Sequence, residues 1–508
     1  MFAILKRGFK IKKIPTLMVF FFFFTPYDYL IANNYFEINS GIERAYKTIH
    51  QLRLNEGQRI LDSLKRSEPR NMMVYFIEDY IDFYRIFINE DFSEFKELEK
   101  NKSKRLSKIR SGDKNSPYYR FCQAEIELHW ALARLKFEDY INAAVEIRNS
   151  YRLLTWNSVL HPDFIMNKKS LSAINAITGT FPNDLRKRLF SMYSGISGSV
   201  VQGARQAAEV LYFVKKNESL FRDEVYTIAS FIALHLENDH NKAWNIISAA
   251  RLDARKSPLA CFVIANVAYN TGRNNEAIRI LQNRVQSPGQ LPFHYLDYMM
   301  GKALLYRLDK NADKDLLKFV RNFKGINYIK DAYLKLAWYE QLLKNNESGY
   351  RHYMNMVKSK GHTIVDEDKS AMKDAMSTDV PDIVLLRSRV LFDGAYYAEA
   401  LEHLQNNSAK FTPASHDYLE YIYRKARIYQ QLNKYSEALQ FFQQAIRSGR
   451  RSDSYYACNS ALQSGVIYEK MNDKYNAKKY YDICLAINPE EYRHSLHQKA
   501  KAGLQRIK

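Results

Sequence analysis

One spacing constrains this chain more than any other feature. From Gly465 the sequence places Tyr468 three residues on, Ala477 twelve, Tyr481 sixteen, Cys484 nineteen and Pro489 twenty-four. The same ruler set on Ala426 meets Tyr429, Tyr435, Ala438, Phe442 and Ala445. Set on Ser388 it meets Leu391, Tyr397, Ala400 and Leu404, and set on Ala337 it meets Gly349, Tyr353 and Met356. Gly301 and Leu304 follow upstream with Leu317, although Asp313 stands where a small residue is wanted. Ala265 carries Ala268, Gly272, Ala277 and Leu281, and Phe231 carries Leu234, Ala243, Ile247 and Ala250. Near the start, Ala45, Gly57, Leu61, Leu64 and Pro69 fit once more.

Physics explains these residue types. A unit of this length is two antiparallel helices, and small residues at the anchor and twelve positions on let the two approach closely. Aromatic residues three and sixteen positions on fill the gap to the next pair. One pair cannot bury its own apolar face, so several must stack. The 37 tyrosines are read mainly as this packing. The expected fold is all-α, a right-handed superhelical solenoid of antiparallel helix pairs. Low glycine and proline, 18 and 12 in 508 residues, agree with mostly helical structure.

Three regions follow along the chain. Residues 1–32 hold Lys6, Arg7, Lys10, Lys12 and Lys13 ahead of an apolar run from Ile14 to Phe24. That run is about half of what a spanning helix needs. It reads as an export signal cleaved after Ala32, with a retained N-terminal anchor as the alternative. Residues 33–215 read as a divergent helical-hairpin domain with one repeat-like unit near 38–69. Residues 216–508 read as the solenoid proper. The long interval between the anchors Ala337 and Ser388 marks an inserted segment at 358–381, read as a short helix and solvated connector.

The repeat positions Ala265, Ala277, Ala337, Ala400, Ala426, Tyr429, Ala438, Phe442, Gly465, Tyr468, Ala477, Tyr481 and Pro489 resemble the tetratricopeptide-repeat superfamily. Beyond the repeat, the chain resembles exported repeat proteins of Gram-negative bacteria. That resemblance is carried by "HPDFIMNKKSLSAINAITGTFPND", "LYRLDKNADKDLLKFVRNFKGINYIKDAYLKLAWYE", "RVLFDGAYYAEAL", "YYACNSALQSGVIYE" and "HQKAKAGLQRI". It implies a periplasmic or outer-membrane-associated scaffold or adaptor, and transfers no catalytic residue.

Chemistry is sparse. Phosphate-binding glycine loops, a G-x-S-x-G elbow and HExxH are all missing from the sequence. His494 and His497 share a helix face but are only two ligands, and Glu125 and Glu127 point to different faces. The chain is therefore expected to be no enzyme, with no cofactor, no metal and no small-molecule substrate. The net charge of +21 is spread along the chain, and the densest run, Lys100–Lys114, reads as a loop or helix end. No nucleic-acid module accompanies it. A basic solenoid that contacts anionic membrane or envelope surfaces stays open as the alternative function, and an envelope enzyme as a remoter one.

The leading expectation is a protein partner, taken as a peptide or helix on the concave face. Counting from the anchors, the first helix of each pair presents Trp338 and Gln341, Arg389, then Tyr423, Arg427 and Gln430, then Val466 and Glu469. Of the cysteines Cys122, Cys261, Cys458 and Cys484, the last two start and end one repeat. Those ends meet in an antiparallel pair, so an exported chain can close them into a disulfide. Otherwise they are small packing side chains.

Overall fold

The computed structural model describes residues 34–178, 195–196, 198–377 and 379–507. The apolar run on which export rests, and the Gly179–Pro182 break, lie outside them. Residues Asn34–Lys508 form one compact unit. Among its described residues there is no strand, only the isolated bridges Asn34–Gly112 and Tyr35–Asn71.

The helices come in pairs. The first five pairs are α1 (Ser40–His50) with α2 (Leu54–Ser67), α3 (Met73–Asn89) with α4 (Phe92–Arg110), α5 (Pro117–Lys136) with α6 (Tyr140–Leu160), α7 (Asn167–Thr178) with α8 (Val200–Lys216), and α9 (Arg222–Phe231) with α10 (His240–Ala250). Next come α11 (Pro258–Asn270) with α12 (Asn274–Gln282), α13 (Tyr295–Tyr306) with α14 (Ala312–Asn322), and α15 (Ile329–Leu343) with α16 (Glu347–Ser359). An inserted α17 (Asp366–Met376) precedes α18 (Ile383–Asp393) with α19 (Tyr397–Asn406), α20 (Tyr418–Gln431) with α21 (Tyr435–Gly449), and α22 (Tyr456–Lys470) with α23 (Lys474–Ala486). A single helix, α24 (Arg493–Arg506), closes the array against α22 and α23. Each helix packs chiefly on its sequence neighbours, which makes the unit an all-α solenoid. Helix starts follow local chemistry. Asp91, Asp239, Asp382 and Asp473 cap free amides with their carboxylates, and Ser116 and Ser257 do so ahead of prolines.

One detail unifies the array. In ten of the pairs, the turn between the two helices holds one residue in the left-handed region: Leu52, Glu90, Glu138, Asn238, Gly272, Leu308, Asn345, Ala395, Asn433 and Asn472. The hairpins α1/α2, α3/α4 and α5/α6 thus turn like the later repeats. Ala131 and Ala143 lie twelve apart and are both fully buried, so α5/α6 obeys the ruler as well.

The ruler slips by one residue in two places. In α13/α14 it is Ala312, Leu316 and Phe319 that are buried, one residue before Asp313 and Leu317, so the small residue is present after all. In α15/α16 the turn is one residue longer, with Asn345 as its left-handed position. Tyr350, Met354 and Val357 are then buried in place of Gly349, Tyr353 and Met356.

Between α1 and α9 the core is partly ionic. Lys169 is 2% exposed and sits between Glu125 and Glu224. Glu224 also accepts the hydroxyls of Tyr46 and Tyr80. This cluster takes one side chain from the first helix of each of five successive pairs. Beside it, Asp79 accepts from His129 and Trp130 at 2.9 and 3.1 Å, and Arg105 meets Asp82 at 2.6 Å. Lys100–Arg110 is helix rather than loop, and its Lys102 and Arg105 are spent inside the fold on Glu127, Glu146 and Asp82.

The array departs from a simple stack in two ways. First, α17 lies on α15 and α16, and Asp368 from it accepts the Tyr328 and Asp331 amides at 2.6 and 3.0 Å. It thus caps α15 from outside, because Tyr328 is left-handed and gives no side-chain cap. The inserted segment is therefore not only a solvated connector. Second, loops far apart in sequence touch. Ser257 donates to the His50 carbonyl at 3.0 Å, Gln290 to the Gln51 carbonyl at 2.9 Å, and the Asn327 side chain to Glu90 at 2.8 Å. Asn274 donates to Tyr396 at 3.1 Å, and Lys373 meets Glu491 at 2.7 Å.

Candidate functional site

The first helices α18 and α20 and the entry to α22 meet around a cavity of about 230 Å³. Ser388, Arg389, Phe392 and Asp393 come from α18, Tyr423, Arg424, Arg427 and Ile428 from α20, and Tyr455 from the entry to α22. Helical spacing puts Arg389 and Asp393, or Tyr423 and Arg427, on one face.

The three guanidiniums are not equivalent. Arg424 is held by Glu420. Arg389 meets Asp374 at 3.4 Å and lies 4.6 Å from the centre of the Trp338 ring. Arg427 forms no ion pair with any described carboxylate. Its Nη1 is 3.4 Å from the Tyr423 hydroxyl, its Cζ lies 5.4 Å over Phe392, and its buried Nε has no partner. The Ser388 hydroxyl, fully buried in the same wall, also lacks one. Asp393 adds a carboxylate, so the cavity carries both signs with positive in excess. Burial pushes the Tyr455 and Tyr456 hydroxyls well up, which keeps them protonated donors.

The sequence-derived groove residues fall into three groups. Arg389, Tyr423 and Arg427 line the cavity. Trp338 is 2% exposed, covered by Lys335, whose Nζ is 3.8 Å from the ring centre, and by Arg389, so it supports Arg389 and offers no free surface. Gln430 is buried too. It donates to Gln463 at 3.0 Å, Gln463 to Asn459 at 3.1 Å, and Asn459 to Tyr423 at 2.7 Å, an amide ladder tying α20 to α22. Gln341 is half-buried with its buried oxygen unpartnered. Val466 and Glu469 stand apart from the cavity. Val466 packs in the last core cluster, and Glu469 is taken by Arg506 of α24 at 2.7 Å and by Tyr481. The sequence does not mark Ser388, Phe392, Asp393, Arg424, Ile428 or Tyr455 as cavity residues, Ser388 because it doubles as a packing anchor; the spacing of four and five from Ser388 to Phe392 and Asp393 is the available signal.

The repeat positions are core residues. Ala265, Ala277, Ala337, Ala400, Ala426, Ala438, Phe442, Ala477 and Tyr481 are fully buried, Gly465 and Pro489 are buried, and Tyr429 and Tyr468 are half-buried. Cys458 and Cys484 are buried free thiols with their sulfurs 3.5 Å apart. His497 is engaged with the Ile487 carbonyl at 2.9 Å.

The tetratricopeptide-repeat family matches residues 419–448 and 459–491, which are the α20/α21 and α22/α23 pairs. The chain carries tetratricopeptide repeats there. No curated protein matches the chain. Among solved structures it is similar to Naa15/Naa10 bound to HypK-THB at 12% identity, covering 92% of this chain and 65% of that one with a TM-score of 0.26. It is also similar to the APC/C hetero-tetramer Cut9–Hcn1 at 13% identity, covering 90% and 95% with a TM-score of 0.26. The chain thus spans just under two thirds of the length of the first, and neither likeness bears on function.

Proposed function

We propose that this chain is a non-catalytic protein-interaction scaffold that takes a peptide or helix of a protein partner on the face made by α18, α20 and α22. One observation carries this. Two successive first helices and the entry to a third line a single cavity that contains an arginine without a carboxylate partner. Buried arginines and aromatics are the residue types that anchor interfaces. Selection of a random peptide library on the full chain tests the reading. Binding of the enriched peptides should fall about tenfold or more with Arg427→Glu. Undiminished binding would reject this surface.

The reading includes a compartment. The Lys6–Phe24 sequence supports export to the cell envelope, and in an oxidising compartment the Cys458 and Cys484 sulfurs have only to close from 3.5 Å to about 2.05 Å. Intact-mass measurement of the chain isolated from the envelope, with and without reductant, should show a two-hydrogen difference. Two free thiols would remove the disulfide. Contact with anionic surfaces draws less support, because Lys102 and Arg105 of the densest basic run are internally paired.

A further inference from the structure

A second and larger cavity, about 330 Å³, opens where α3 faces α11 and α13. It belongs to none of the groove helices. Its walls are rings. Phe262 lies 5.5 Å from Phe293 and 5.8 Å from Tyr295, and Tyr295 lies 4.7 Å from Tyr328, all centre to centre. Tyr328 reaches this wall from a left-handed backbone, φ 66°, which the Asp368 carboxylate holds by accepting its amide. Across the floor, α9 runs into a π-helical turn, Ile232–Leu236, and such turns recur at functional sites.

Among these rings stands Lys302, while the other lysine of the lining, Lys136, is paired with Glu90. The Lys302 Nζ is 5.0 and 5.2 Å from the ring centres of Tyr269 and Tyr298. It donates to the Tyr298 hydroxyl at 3.3 Å, and that hydroxyl donates onward to Asp331 at 2.6 Å. No described carboxylate lies within ion-pair distance of Lys302, so two of its three protons are unassigned. Burial depresses its pKa, against the pull of the Asp331, Glu367 and Asp393 carboxylates. The other charges in the cavity are accounted for. Glu90 is neutralised by Lys136 at 2.6 Å and also takes Asn327, and Glu367 is exposed at the rim.

We propose that this cavity binds a small amphiphilic monoanion, with a flat apolar body between the rings and one carboxylate-class group on the Lys302 ammonium. The volume falls at the lower end of the small-ligand range, and ring faces receive flat bodies by stacking. The exposed Glu367 at the rim disfavours a polyanion. The anion would give the half-buried Lys302 ammonium a direct charged partner in addition to the Tyr298 hydroxyl.

The test uses 2-naphthoate and the neutral 2-naphthylmethanol as probes, titrated calorimetrically into the full chain. Naphthoate should bind saturably at one site and more tightly than the alcohol. Lys302→Met should weaken naphthoate about tenfold or more, the loss of about 1.4 kcal/mol, and leave the alcohol unchanged, while Lys302→Arg keeps the preference for the acid. Asn266→Trp, which fills the cavity, should abolish both. Arg427→Glu should change neither, which separates this site from the groove. Absent saturable naphthoate binding, equal affinity for acid and alcohol, or binding that survives Asn266→Trp would each overturn the proposal. Circular dichroism on each variant identifies a failure to fold, and the acid-versus-alcohol comparison in the unmodified chain then decides.

Discussion

At the scale of single residues, close approach decides which positions tolerate change. A Cβ on Gly465 would lie 2.6 Å from the Tyr481 ring, and one on Gly503 would lie 2.4 Å from the same ring. Tyr481 is fully buried and has nowhere to move. Gly465→Val should therefore cost about 1–3 kcal/mol by overpacking, measured by denaturant unfolding, and an unchanged midpoint would contradict this packing. Ala395 is the converse. Its φ of 63° costs an L-residue about 1–2 kcal/mol, against about 0.5–1 kcal/mol of chain entropy for glycine. Ala395→Gly should raise stability by up to about 1 kcal/mol, and a clear loss would refute the argument. This scale was the most legible in the sequence. The spacing located Gly465, Tyr481 and the buried alanines, since only small and aromatic residues satisfy that packing. It was a residue out at Ala312 and Tyr350, because no spacing rule detects a second helix whose packed face is offset by one residue or a turn with one residue more.

At the scale of elements, the sequence was less transparent in the first third. The first helices α3, α5 and α7 bury Asp79, Glu125 and Lys169, and α9 half-buries Glu224; charged residues at core positions erase the apolar period by which a helix face is recognised. Removing Lys169 leaves the buried Glu125 without its one ion-pair partner, so Lys169→Met should cost about 3–5 kcal/mol; a loss below 1 kcal/mol in urea unfolding would show that water reaches the cluster. The inserted α17 also has a thermodynamic signature. Burial pushes the Asp368 carboxyl up to about 7, above the unfolded value near 4. The folded state then keeps the proton longer, so this stabilising contribution is full below about pH 4 and is lost as pH rises to about 7. The stability difference between the unmodified chain and Asp368→Asn should fall across that window by at most about 4 kcal/mol and be level above it. A constant difference from pH 4 to 8 would remove the assignment. The groove was legible in part for an element-level reason. Counting along first helices found Arg389, Tyr423 and Arg427, but the capture of Glu469 by Arg506 of α24 depends on how the array ends.

At the scale of the whole unit, an open solenoid has only neighbour-to-neighbour interfaces and can melt from one end. Here His50 and Gln51 touch Ser257 and Gln290, and Glu90 touches Asn327, so early and middle pairs share interfaces that a one-dimensional stack lacks. Unfolding should therefore be more cooperative than in such a stack. Scanning calorimetry should show one transition for the unmodified chain and a broadened or divided one for Gln290→Ala combined with Asn327→Ala; a divided transition in the unmodified chain would contradict the coupling. The same loops set the mechanical character of the protein. A coil whose adjacent windings are fastened to each other behaves as a rigid rod under small loads. Pulled from its two ends, it should yield abruptly when the Asn327–Glu90 and Gln290–Gln51 fastenings part, and extend softly only after that.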